Sequence, residues 1–204
     1  MCNTYTVRPK LSAIALEAAV SAEILRLPSP LVRRTGPGVV VVANSTEPFA
    51  ETMRWGFHRP FSDAINNARS DKFSSPTWAE SLKLRRCLVP ISEFYEWQHL
   101  AGGEKQAYEF RRPDGGWMWV AGIYEMTASH GACYATITTE PAPVVVPIHD
   151  RMLAVLDAEM AFAFLRGETL EFTPYAGEIV ATCCDSPLKR QIKPPNDELQ
   201  PELF

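Results

Sequence analysis

The feature that most narrows the fold is a close succession of strand-like segments through the middle of the chain. They cover residues 86–91, 93–98, 107–112, 117–125 and 133–139, and their β-branched and aromatic content suits a pleated surface. Pro113-Asp114-Gly115-Gly116 is a hairpin turn between two of them. Upstream, Gly38 to Ala43 reads as a buried strand, and 52–57 as another. Leu16, Val20, Ile24 and Leu27 share one helical face, which predicts an amphipathic helix over 12–27 with Ser12 as its cap, ended by Pro28 and Pro30. Ser75-Pro76 predicts the start of a short helix carrying Trp78 and Leu82. Residues 157–165 read as a helix closed by Gly167, and 178–184 as a last strand. The polar stretch 58–73 lacks apolar periodicity and reads as an ordered loop.

These elements add up to an α+β chain: a single compact β-rich domain over 2–190, with mixed and antiparallel sheets forming a barrel-like core and a few peripheral helices. The Pro- and acid-rich end, 191–204, reads as a loose tail. A hydrophobic fraction of 46% suffices for a core, and no run reaches the ~18 apolar residues of a membrane helix. No signal peptide is expected, because Arg8 and Lys10 precede an amphipathic segment. Five cysteines, an odd number, point to reduced thiols and a cytoplasmic location. Cys183-Cys184 read as buried strand thiols.

Charge is unevenly placed. The net is −4, yet 53–90 holds seven Lys/Arg against three acids, and 101–204 holds eight against fifteen. A basic face on an acidic body suits a polyanion in one groove, and equally suits ordinary solvated charge.

Four stretches carry chemistry. In Met1-Cys2-Asn3, loss of the methionine would leave Cys2 with an α-amine of pKa near ~8 beside a thiol near ~8.5. That pair can condense with an aldehyde to an imine and close it to a thiazolidine ring. In Glu93-Phe94-Tyr95-Glu96-Trp97, strand alternation puts Glu96 on the face of Phe94. An apolar setting there raises a carboxyl's pKa and makes a general acid or base; a sheet-surface carboxylate fits the same residues, with Glu93 the solvent-facing or edge residue of the two. Ile148-His149-Asp150-Arg151-Met152 suits a proton-transfer group, or an Asp150–Arg151 pair with the histidine at a strand end. Asn66-Asn67-Ala68-Arg69 can grip a sugar hydroxyl and a phosphate, or simply form a turn. No phosphate-cradling glycine loop, zinc helix or serine elbow is present. With His58, His99 and His130 lacking spaced partners, neither a metal nor a cofactor is expected.

In order, Met1-Cys2, Arg54-Trp55-Gly56-Phe57, Asn67-Ala68-Arg69-Ser70, Arg86-Cys87-Leu88-Val89-Pro90, Phe94-Tyr95-Glu96-Trp97, Ala121-Gly122-Ile123-Tyr124-Glu125, Thr138-Thr139 and Ile148-His149-Asp150-Arg151-Met152 resemble the SRAP (SOS response-associated peptidase) family. The resemblance runs from Cys2 to about Met152. It implies a β-rich sensor of abasic sites in single-stranded DNA, acting in the DNA damage response as a monomer and crosslinking itself through a Cys2 thiazolidine. Lyase and self-cleaving peptidase activities are further expectations. Carried over, Asn67 would hydrogen-bond the adduct, Glu96 would be the acid/base and His149 would assist ring opening. Arg69 would meet a phosphate, with Arg54, Trp55, Arg86 and Arg151 as further DNA contacts. Asn3 and Thr4 stand where the family has Gly and Arg, which removes one phosphate contact. The rival readings are an N-terminal-nucleophile cysteine hydrolase without nucleic acid, and a non-covalent single-strand-binding module.

Overall fold

The computed structural model describes residues 2–43, 47–169 and 171–188; the expected tail at 191–204 lies outside them. Two large sheets and a two-stranded hairpin share the chain, the first sheet carrying the short strands β13 (Met152–Leu153) and β14 (Val155–Leu156) beside its main strands. In the first, β3 (Pro37–Ala43), β4 (Pro48–Trp55), β8 (Arg86–Ile91), β11 (Met118–Thr127) and β12 (Gly131–Thr139) form a ring, because β11 and β12 pair as well as the strands between them. A closed ring of five strands cannot alternate direction all the way round, so one pair must be parallel. That pair is β4 with β12, Arg54 facing Cys133 and Trp55 facing Tyr134.

So small a barrel has room only for side chains. Tyr5, Trp55 and Tyr134 fill it: Trp55 stacks on Tyr134 at 6.3 Å and meets Tyr5 edge-on at 5.0 Å. The two tyrosine hydroxyls hydrogen-bond each other at 2.5 Å. Gly38 lets them do so, since a Cβ there would collide with both hydroxyls.

The second sheet runs β15 (Val180–Cys184), β10 (Lys105–Arg111), β9 (Glu93–His99), β1 (Thr4–Thr6), β2 (Leu31–Arg33). A single residue, Ser92, separates β8 in the barrel from β9 in this sheet, and its amide donates to the Thr6 carbonyl at 2.8 Å. The N-terminal strand β1 is thus an interior strand, registered Tyr5 to Phe94 on β9 and Tyr5 to Val32 on β2. That register carries Cys2 along β9 toward Glu96.

The chain corrects several sequence expectations, among them the hairpin at 113–116: β10 and β11 do not pair, because the turn passes the chain from the second sheet to the barrel. Residues 58–73 are not a loop. They fold as the hairpin β5 (Phe57–Arg59) with β6 (Ser62–Ile65), then β7 (Asn67–Arg69), then a 3₁₀ turn. Gly56, at φ +119°, starts the excursion where a side chain would run into Ala64. β7 then continues the edge that β4 leaves, pairing parallel with β12, Asn67 to Thr136. The first helix, α1 (Ala15–Ile24), is shorter than expected, because the Ser12 hydroxyl accepts from Ile14 and donates to Glu17 instead of capping it. α2 (Ala79–Leu84) starts after the turn at Ser75, and α3 (Ala158–Leu165) is capped by Asp157, which accepts from the Met160 amide at 2.8 Å. Cys183 is exposed and Cys184 half-buried, because β15 is an edge strand. Glu93 is buried and paired with Arg8, not solvent-facing. Among the described residues, no helix is long and apolar enough to cross a membrane.

Candidate functional site

Two amides converge on the second residue. Asn66 Nδ2 donates to the Cys2 carbonyl at 2.9 Å, and Asn67 Nδ2 donates to the same oxygen at 2.8 Å. Each asparagine is itself held. The Asn66 carbonyl accepts from Trp55 Nε1 at 3.1 Å and from the Thr136 amide at 3.0 Å, and the Thr136 hydroxyl donates to Asn67 Oδ1 at 3.0 Å. Sequence reasoning singled out Asn67 and missed Asn66 and Thr136 as its equals in this clamp. The parallel β7–β12 pairing that makes the clamp left no periodic trace in so polar a segment.

Cys2 is 1% exposed, and its thiol donates to the Thr4 carbonyl at 3.1 Å. Burial, reinforced by the charge of Glu96, pushes the thiol pKa well up, so it rests as S–H. Glu96, 2% exposed, comes from the inward face of β9. Burial, with Asp150 adding to it, raises its carboxyl to about 7, the poise a general acid–base group needs near neutrality.

His149 Nε2 stands 3.7 Å from Glu96 Oε2. Its segment is tied to β9 by Gln98, whose Nε2 donates to the Pro147 carbonyl at 2.9 Å; this positioning residue carried no sequence signal. Burial lowers the His149 pKa, so the ring is neutral at pH 7. Nδ1 lies 3.1 Å from Asp150 Oδ1 and 3.2 Å from the Arg151 carbonyl, two acceptors that favour the Nδ1–H tautomer and make Nε2, toward Glu96, the basic nitrogen. Glu96 and His149 line an open 340 Å³ cleft with Asn3, Trp97, His99, Lys105 and Leu188.

Two residues further along each segment, Arg69 and Arg151 meet across Asp71. They line an adjoining-segment cleft of 440 Å³ with Thr139, Glu140, Phe73 and Phe172. The other expected DNA contacts are placed differently. Trp55 is 0% exposed and stands behind the clamp, which corrects its reading as a DNA-contacting ring. Arg54 donates to the Gly56 and Asp63 carbonyls and braces the β5–β6 excursion. Arg86 donates to the carbonyls of Leu82, Phe164 and Glu168, a brace between α2 and α3 and not a groove cation.

The family model for SOS response associated peptidase (SRAP) matches residues 1–185. Among curated relatives, the chain is 30% identical over 115 residues to abasic site processing protein YoaM of Bacillus subtilis, covering 51% of each. It is 29% identical over 152 residues to abasic site processing protein HMCES of Xenopus tropicalis, covering 58% of this chain and 45% of that one. The chain spans about half the length of the curated relatives it matches. Among solved structures, a Bacteroides thetaiotaomicron protein superposes with a TM-score of 0.71 at 18% identity over 90% of this chain and 92% of its own. A Bordetella bronchiseptica protein gives 0.71 at 20% over 91% and 100%. The barrel, its flanking sheet and the match across residues 1–185 make this chain a member of the SOS response associated peptidase family.

Proposed function

We propose that the chain captures ring-opened abasic sites in single-stranded DNA through the amine and thiol of Cys2, once Met1 is removed. The observation that carries this reading is the convergence on one residue: two buried amides fix the Cys2 carbonyl, and a carboxyl poised near 7 couples to its thiol. The names of the relatives, abasic site processing proteins, support the substrate.

The chemistry balances without a cofactor. Neutral His149 accepts the C1′ hydroxyl proton while protonated Glu96 gives one to the ring oxygen, which opens the hemiacetal to an aldehyde. The Cys2 amine, deprotonated by the Glu96 carboxylate, attacks C1′; loss of water gives the imine. The thiol then adds across C=N, sulfur to carbon and hydrogen to nitrogen, closing the thiazolidine with one water released overall. The Asn66–Asn67 clamp holds the α-carbon so that both nucleophiles face the same carbon, an orientation effect. Arg69 and Arg151 would meet the phosphates beside the lesion. Incubation with an oligonucleotide bearing an abasic site should give a slow band on a denaturing gel, absent for Cys2→Ala; a Cys2→Ala band of wild-type intensity would refute the reading.

A further inference from the structure

The Asp71 carboxylate sits where a phosphate on Arg69 and Arg151 would sit. Oδ1 accepts from Arg69 Nε at 3.0 Å and Oδ2 from Arg69 Nη2 at 2.9 Å, a bidentate fork of the kind guanidinium makes with carboxylate and phosphate alike. Oδ1 also lies 3.5 Å from Arg151 Nη2. Arg151 is only 7% exposed, and its Nε is buried with no hydrogen-bond partner among the described residues. Its Nη2 donates to the Thr138 carbonyl at 2.6 Å, so the cleft wall holds a fixed guanidinium. Glu140 and Glu171 line the same cleft, so its acids outnumber its arginines.

We infer that Asp71 is a built-in phosphate surrogate: it occupies Arg69 and Arg151 in the DNA-free protein and yields them to a backbone phosphodiester as the strand enters. The inference rests on the proposed DNA reading. Asp71 then acts as a positioning residue that sets affinity and discriminates against polyanions unable to displace it, while taking no part in the Cys2 chemistry. Exchange is feasible because Asp71 and Arg69 are both about half exposed at their side chains, so the fork can open into solvent.

The test is anisotropy titration of an intact, undamaged oligothymidylate against the Met1-processed full chain over a salt series. Asp71→Asn should bind about two- to fivefold tighter at low salt, the scale of one exposed charge. Its salt slope should steepen by about 0.7, one single-strand phosphate contact. Asp71→Glu should stay near wild type, and Arg69→Gln combined with Asp71→Asn should abolish the gain. The rate at which Cys2 condenses with a small aldehyde should be equal in wild type, Asp71→Asn and Asp71→Glu. Equal or weaker binding by Asp71→Asn, with wild type still binding and crosslinking, overturns this inference alone. Wild type that binds no oligothymidylate and forms no abasic-site adduct overturns the functional reading and this inference with it.

Discussion

Asn67 Nδ2 donates to the Cys2 carbonyl oxygen at 2.8 Å across 65 residues of sequence. The same oxygen takes a second bond from Asn66 at 2.9 Å. Either bond alone keeps the buried carbonyl satisfied, so removing one should leave the fold standing at a cost of about 1 kcal/mol. Asn67→Ala should nonetheless slow abasic-site adduct formation about tenfold or more, since misplacement of a reacting group by a small distance is expensive in rate. Removing both asparagines should slow it by more than the product of the single effects. Single-turnover adduct kinetics beside oligothymidylate affinity would check this, with affinity for intact strands little changed.

The raised carboxyl of Glu96 makes a paired prediction of activity and stability against pH. Adduct formation needs a protonated Glu96 and an unprotonated amine of pKa near ~8, so its rate should rise with pH up to about 7–8 and fall above. Glu96→Gln should be slower throughout and lose the alkaline limb. For stability, the folded carboxyl holds its proton up to about 7, against 4.5 ordinarily. Between those values the folded state binds the extra proton, so wild type loses stability as pH rises from 4.5 through 7. Glu96→Gln escapes that loss. It should be more stable than wild type at pH 8 by up to about 3 kcal/mol, with the difference vanishing near pH 4. Thermal melts of both proteins across this range would show it.

Much of the architecture is legible in the residues. The run from Arg86 to Thr139 announces its own strands, and its five segments all form. What stayed hidden are strands whose buried side chains are polar. β1 is Thr-Tyr-Thr, buried because Thr4 donates to the Val32 carbonyl and Thr6 bonds the Tyr95 hydroxyl. β7 is Asn-Ala-Arg, buried at its start by the clamp on Cys2. Hydrophobic alternation cannot report a strand whose inward residues serve a site. The arginines follow the same rule. Arg86 and Arg54 look like groove cations until the carbonyls they hold are known, and for Arg86 two of those lie 78 and 82 residues away. Alternation puts Glu96 on the face of Phe94 but leaves a sheet-surface carboxylate equally open, and the burial of Glu93 depends on Arg8, 85 residues distant.

Arg69 and Arg86 should therefore part company on mutation. Arg69→Gln should weaken single-strand binding and flatten its salt slope by about 0.7, with the melting temperature unchanged. Arg86→Gln should leave binding intact and destabilise by about 1–3 kcal/mol, because the carbonyls of Leu82, Phe164 and Glu168 lose a charged donor. Salt-dependent titration and urea unfolding on the same two proteins separate the roles.

Gly38 should be intolerant of even one methyl. A Cβ there meets the hydroxyls of Tyr134 and Tyr5, which are tied to each other in the filled barrel. Gly38→Ala should cost about 3 kcal/mol through overpacking, read as a lowered urea midpoint.

The most direct measurement is intact and peptide-level mass analysis of the protein after reaction with an abasic-site oligonucleotide. The expected outcome is protein lacking Met1, a mass equal to protein plus oligonucleotide less one water, and the modification confined to the peptide that begins at Cys2. An adduct of that mass on another residue, or one formed equally by Cys2→Ala, would contradict it.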